Sequence, residues 1–343
     1  MSEKMKRREF LPLAGAGAIM APTILSSCST STGPGKLSIP GTIAFERDTA
    51  YEGGDRDVWI MDWTTETQIN LTADIPGSHG RPYWSQDGTA LYFDSVVDGK
   101  SFIQKMNDLT DPVGSLEVIV NEAGHQLYPI VHPDGNLLVY SQMDSLNVLS
   151  SSSIVAYDMS LGQEISRTEE NVVRVINNNN PNDRAFIPGE RNVICTGVPS
   201  VGIFNSDTGE IEPYEFDDTH HSNISIHSVA ITSDGLTAYG LGQTNFDRIL
   251  RWNTQPGSRY IETLDSTQGG KIRMLADLIE SPEETVMLSG CRLGYVSSTS
   301  YWKIGYTDVS KPGNRSGQRF STASFNNMTG SNYYPRHTFT EHI

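Results

Sequence analysis

Arg81-Pro82-Tyr83-Trp84-Ser85-Gln86-Asp87-Gly88-Thr89-Ala90-Leu91-Tyr92-Phe93 reads as a strand, a tight turn and a second strand. Asp favours such corners because its carboxylate bonds nearby backbone N–H groups, and Gly takes positive φ at low steric cost. The corner recurs. His132-Pro133-Asp134-Gly135 precedes Leu137–Tyr140, and Pro188-Gly189-Glu190-Arg191 precedes Val193-Ile194-Cys195. Thr232-Ser233-Asp234-Gly235 precedes Leu236–Tyr239, and Ser281-Pro282-Glu283-Glu284 precedes Thr285–Leu288.

Marking each turn by its acid (Asp87, Asp134, Glu190, Asp234, Glu283) gives gaps of 47, 56, 44 and 49. A period in the forties with about four strands per unit is the pattern of a β-propeller blade. Asp57–Asp62, Ile154–Met159 and Ile249–Asn253 read as third strands and Gln68–Thr72 as a fourth, and no sustained helical period follows residue 40. The predicted fold is therefore all-β, a six-bladed propeller. Five blades follow from the markers, and the two chain ends supply the sixth. Thr42–Phe45 reads as a second strand, while Tyr333–Phe339 aligns as a first, with Pro335 falling where Pro82 and Pro129 fall. The last strand thus completes the first blade and closes the ring. A seventh blade would have to hide in the gap around Asn177–Asn180, which reads as a loop.

Composition agrees. Of 343 residues 37% are hydrophobic and 19% charged, with 31 Gly and 17 Pro, as suits a turn-rich globular chain. The formal net charge is −16; loss of residues 1–27, which carry Lys4, Lys6, Arg7 and Arg8 against Glu3 and Glu9, would make it −18. Such a surface lacks the basic footprint that neutralises phosphates, so nucleic acid is not an expected partner. Cys195 and Cys291 fall in strands of different repeats and read as buried small hydrophobes; no cysteine spacing fits a zinc site.

The N-terminal segment has its own logic. Lys6-Arg7-Arg8-Glu9-Phe10-Leu11 resembles a twin-arginine export signal, with Arg7 and Arg8 as the pair. The apolar run Leu11–Leu25 is shorter than the roughly 20 residues a spanning helix needs. It ends in Leu25-Ser26-Ser27-Cys28, which is similar to a bacterial lipobox and marks Cys28 for lipidation. Residues 1–28 are then a targeting segment, 29–40 a flexible tether and 41–343 the propeller, exported and anchored to the cell envelope through Cys28. Ser29 after the Cys resembles outer-membrane sorting in a diderm cell.

The turns at 85–88, 132–135 and 281–284, with Val58–Asp62 and Asn70-Leu71-Thr72, resemble the Pro-Asp WD40-like repeats of TolB-type propellers over roughly residues 41–343. Gln86, Pro188-Gly189-Glu190 and Glu284 depart from that pattern. The resemblance implies a monomeric interaction module of the envelope with a protein or glycan partner. It also touches peptidases carrying a separate hydrolase domain and several polysaccharide lyases. Within these residues there is no Gly-x-Ser-x-Gly, His-Glu-x-x-His, Walker or dinucleotide motif, so no metal or cofactor is expected.

In a propeller the first strands line the channel, and the loops entering them crowd one mouth. Here those loops are polar and carry His79, His125, His220, His221 and His227. Registering the first strands on the turns places Arg81, Tyr128, Arg184, Ser228, Asp277 and Tyr334 at one level, with His337 on the closing strand. The binding residues expected are His79, Arg81, His125, Tyr128, Arg184, His220, His221 and Tyr334. In the alternative reading, a lyase, catalytic candidates come from His79, Arg81, His125, Tyr128, Arg184, Tyr334 and His337. Arg or a metal would neutralise a uronate carboxylate, His or Tyr would take the C5 proton, and a Tyr or His would protonate the leaving oxygen. Against both stands the ordinary role of such side chains, which is to bond loop carbonyls. Trp59, Trp84, Trp252 and Trp302 fall at blade-packing positions.

Overall fold

The computed structural model describes residues 41–48, 55–62, 65, 67–146, 151–169, 173–174, 184–196, 201–217, 225–243, 247–266, 271–280, 285–292, 302–308 and 331–338. The described residues belong to the compact unit Ile39–Ile343. The export signal, Cys28, the tether, the Asn177–Asn180 run, His220 and His221 lie outside them.

The chain opens with β1 (Thr42–Asp48), β2 (Arg56–Asp62) and β3 (Gln68–Asn70). A second sheet holds β4 (Ser78–Trp84), β5 (Leu91–Val97), β6 (Lys100–Met106) and β7 (Leu116–Val120). The third has β8 (His125–Val131), β9 (Leu137–Met143), β10 (Ser151–Asp158) and β11 (Gln163–Arg167), with β12 (Val173–Arg174) also on β10. The fourth has β13 (Arg184–Phe186), β14 (Val193–Thr196), β15 (Val201–Phe204) and β16 (Ile211–Pro213). The fifth has β17 (Ser225–Ile231), β18 (Thr237–Gln243), β19 (Asp247–Asn253) and β20 (Glu262–Ser266). A three-stranded sheet follows, β21 (Lys271–Glu280), β22 (Thr285–Arg292) and β23 (Trp302–Asp308). The last strand, β24 (Ser331–Thr338), pairs antiparallel with β1, giving the order β24-β1-β2-β3.

All described strands are thus antiparallel meanders in a propeller arrangement, with five blades of at least four strands. The sequence expectation of a six-bladed ring is met only to that extent. The three-stranded sheet has no fourth strand among the described residues, and 309–330 lie outside them. The first strands lie side by side: β4 touches β24 and β8, β17 touches β13 and β21, and β21 touches β24.

Strand alternation fills the space between blades, because successive side chains point to opposite faces. On β5, Leu91 and Phe93 pack toward the first blade with Ala44, Val58, Ile60 and Trp84, while Tyr92 packs toward the third with Leu138, Tyr140 and Val155. Two further interfaces repeat the plan, around Phe204 and Cys195 and around Trp252 and Val229. Phe45, Phe93, Tyr140 and Trp252 are fully covered, worth roughly 2–3 kcal/mol each by area. Cys195, Trp84 and Trp252 are core, as the sequence predicts. Trp59 is only partly covered, with the Arg47 guanidinium 4.1 Å from its ring.

The turns obey their residues. Gly88, Gly135 and Gly235 each close a four-residue turn as its last member, with φ between 68° and 75°, and donate to Ser85, His132 and Thr232. The fourth blade differs by one position. There Gly189 is third, at φ 79°, and Glu190 donates to Ile187 as the last member. Pro188 second and Gly third is the signature of a type II turn. Glu190 is therefore the counterpart of the glycines and not of Asp87.

Candidate functional site

Each proline-bearing first strand must break its ladder, since proline cannot donate. In β4 the pair Arg81-Pro82 stands opposite the single residue Phe93; in β8, Tyr128-Pro129 stands opposite Tyr140; in β24, Tyr334-Pro335 stands opposite Phe45. These are β-bulges, which re-aim side chains and increase local twist. The alignment of Pro82, Pro129 and Pro335 in the sequence is thus a row of bulges on the inner strands. β17 has a bulge between Ile226 and Ser228, leaving His227 as the extra residue.

Two bulge residues adopt an unusual backbone. Arg81 has φ 53° and Tyr128 φ 57°. Residues before proline favour extended conformations, and a bulky residue at positive φ is strained. Among the described residues the third non-glycine case is Asp98, in an Asp98-Gly99 hairpin turn where both central residues need positive φ.

Both strained residues are held by carboxylates from the preceding blade. Glu46 on β1 accepts the Arg81 backbone N–H through Oε2 at 3.2 Å, and its Oε1 accepts from Arg56 at 2.9 Å. Asp94, in the matching place on β5, accepts the Tyr128 backbone N–H at 3.1 Å. It also takes the Arg81 side chain through Nη1, at 3.0 and 3.1 Å to its two oxygens. The guanidinium carbon lies 4.0 Å from the Tyr128 ring centre, a cation–π stack. Glu46 and Asp94 are both about 1% exposed. Burial pushes the Asp94 carboxyl up, opposed by Arg81 and Arg56. Glu46 holds Arg56 above the usual guanidinium value. Two acids and two guanidiniums are in contact, so the group is balanced in charge. Gly80 completes the fit: a Cβ there would lie 2.3 Å from Glu46 Oε2.

The other predicted residues fare differently. His79 is fully buried inside β4, not in a mouth loop. Its Nδ1 is 2.7 Å from Ser95 Oγ, its Nε2 is 3.1 Å from the Ile75 carbonyl oxygen, and its ring meets Phe93 edge-on. A carbonyl only accepts, so Nε2 carries a proton; desolvation pulls the pKa below the usual 6.5 and favours the neutral ring. His125 is half-buried and its Nδ1 accepts the Ser101 N–H at 3.3 Å. Arg184 pairs with Cys195 through the backbone, and His337 with Ile43; Tyr334 falls in the β24 bulge. The side chains of Arg184, Tyr334 and His337 lie outside the described residues. Ser228, buried on β17, sits beside its bulge, and Asp277 follows another on β21. The structure therefore brings Arg81 and Tyr128 together and encloses His79. It adds Glu46, Asp94 and Arg56, which the sequence reading passed over. A signal existed: in each second strand an acid directly follows an apolar run that ends in Phe, Ile43-Ala44-Phe45 before Glu46 and Leu91-Tyr92-Phe93 before Asp94. Among the described residues no group of three or more His, Cys, Asp or Glu could hold a metal ion.

The chain resembles TolB from Acinetobacter baumannii at a TM-score of 0.60 and 15% identity, covering 89% of this chain and 67% of that one. The fold is that of a TolB-type β-propeller. A TM-score of 0.60 is also found with Kuenenia stuttgartiensis hydrazine synthase, at 14% identity over 87% of this chain. This chain spans only about half of that protein (47%). An oligogalacturonate lyase solved in complex with manganese matches at 0.50 and 12% identity, with 80% of each chain covered. At these identities the TolB-type likeness concerns fold alone. A scan against protein-family models gives no match, and neither does a sequence search of curated proteins.

Proposed function

We propose that this TolB-type propeller is an exported, lipid-anchored binding module of the cell envelope, taking a protein or glycan partner at the channel mouth lined by its inner strands. The ring is read as six-bladed, with β21–β23 as the sixth blade and β24 closing the first. The observation that carries the choice of binding over catalysis is the pairing of Arg81 with Asp94 at 3.0 Å. A lyase that neutralised a uronate carboxylate through Arg81 would need that guanidinium for its substrate, yet its charge is already met by a buried acid. His79, the candidate base, is enclosed with both ring nitrogens in contact with protein oxygens. Export and anchoring rest on Arg7, Arg8 and the Leu25–Cys28 lipobox.

A photo-crosslinking tyrosine analogue at position 128 should capture an envelope component in cells, while the same analogue at exposed Asp87, in a turn at the other end of the strands, should not. Equal capture at both positions would remove the mouth from the proposal. Incubation with a panel of uronate polysaccharides should give no unsaturated uronate by ultraviolet absorbance; a rise in any of them would favour the lyase reading. Cys28→Ser should release the protein to the soluble fraction, and unchanged membrane association would sink the anchor.

A further inference from the structure

We propose that Glu46 and Asp94 are positioning residues of the mouth: each carboxylate, carried on the second strand of one blade, fixes the left-handed pre-proline residue on the inner strand of the next. The inference rests on the reading of the inner strands as the binding mouth, and it gives that mouth a polarity. The relay runs Arg56–Glu46–Arg81–Asp94–Tyr128, from the first blade through the second to the third. Every link but the Arg56–Glu46 and Arg81–Asp94 pairs crosses a blade boundary.

The geometry explains why the acids are needed. A bulge leaves an extra backbone N–H outside the ladder, and a buried N–H without an acceptor is costly. In the second and third blades that N–H belongs to a residue whose positive φ already costs of the order of 1–3 kcal/mol. A carboxylate supplies a stronger acceptor than a neutral group would, and Asp94 takes the Arg81 side chain as well. Arg81 is thereby fixed at both its backbone and its guanidinium, and stacks on Tyr128, the next residue fixed. The matching register holds Ser141 on β9 and Ser289 on β22. Among the described second strands, the carboxylate device is confined to the first two blades. One sector of the mouth is thus preorganised to present Arg81 and Tyr128 as a stacked pair, which lowers the ordering cost of binding.

Hydrogen exchange of the purified protein, followed by mass spectrometry, tests this without any partner. Asp94→Ala should speed exchange in the segment 125–131 by about tenfold or more, the scale of a lost charge-assisted hydrogen bond. Glu46→Ala should do the same in 78–84. Gly80→Ala keeps both acids but drives its Cβ into the Glu46 carboxylate, so it should loosen 78–84 and spare 125–131. Phenylglyoxal should modify Arg81 faster in Asp94→Ala and hardly faster in Glu46→Ala, because Asp94 holds the guanidinium. For Glu46→Ala and Asp94→Ala, exchange that rises equally in all blades, or only in the blade carrying the substitution, overturns the relay. So does unchanged exchange in 78–84 of Gly80→Ala, a result that stands even where the alanine variants of the acids fail to fold. The crosslinking result at Tyr128 can fail independently of all of these.

Discussion

Thr72 Oγ1 accepts the backbone N–H of Val58 at 3.0 Å, at the point where the fourth strand of the first blade is tied back to the third. The same hydroxyl donates to Asp57 Oδ1 at 2.8 Å, and Asp57 Oδ2 accepts from the Asn70 side chain at 2.9 Å. Thr168 repeats the bond in the third blade, accepting the Ile154 N–H at 3.0 Å. The Asn-Leu-Thr motif is a latch that terminates a short outer strand. Thr72→Val keeps the shape and strands the buried Val58 N–H, so it should cost about 1–3 kcal/mol of unfolding free energy in a denaturant titration. Thr72→Ser, which keeps the hydroxyl, should recover most of it.

Asp94 poses a larger risk to the fold than its neighbours. Removing one member of a covered ion pair leaves the other charge without its partner, and such losses run to about 3–5 kcal/mol. Asp94→Ala should approach that range in urea unfolding. Asp94→Asn keeps an oxygen for the Tyr128 N–H and should lose less. An alanine variant as stable as the parent would mean that Arg81 finds an equivalent partner elsewhere.

His79 makes a pH prediction with a definite sign. Burial holds its folded pKa below the ordinary 6.5, so below pH 6.5 the unfolded chain binds more protons than the folded one. Its contribution is therefore complete above pH 6.5 and is lost as pH falls from 6.5 toward the folded value. The slope it adds cannot exceed about 1.4 kcal/mol per pH unit. Thermal unfolding from pH 7.5 down to 5 should show this extra fall in the parent and not in His79→Gln. Parallel curves for the two proteins would show that His79 titrates alike in both states.

What the sequence disclosed and what it hid divide along the distance over which each feature acts. The Asp-Gly corners, the strand periods and the proline row depend on residues adjacent in the chain, and all could be read. The one-residue offset at Glu190 escaped because Gly189 and Glu190 present the same residue types in the opposite order. Gly77–Arg81 looks polar and suggests a mouth loop at His79; Ser78–Trp84 is a strand, and alternation turns His79 inward. Glu46 and Asp94 act across blade boundaries, over 35 and 34 residues of chain. No local pattern states which backbone N–H they serve. The positive φ of Arg81 and Tyr128 runs against the usual preference before proline, so local rules pointed the other way.

The turn acids separate charge from geometry. Asp87 accepts the Thr89 backbone N–H at 3.1 Å and the Ser85 hydroxyl at 2.6 Å, both through Oδ1. Asp234 does the same for Leu236 at 2.9 Å and Thr232 at 2.6 Å. These bonds hold both carboxyls below the ordinary carboxylate value. They act through one oxygen, so an amide oxygen can replace them. Asp87→Asn and Asp234→Asn should therefore be nearly neutral at pH 7, whereas the alanine variants should each lose about 1 kcal/mol. Gly88→Ala adds a separate cost of about 1–2 kcal/mol, because φ is 68° there and a Cβ crowds the following carbonyl. If Asp87→Asn proves as damaging as Asp87→Ala in a denaturant titration, the carboxylate charge itself stabilises the turn, and Asp87 is an electrostatic device instead of a hydrogen-bonding one.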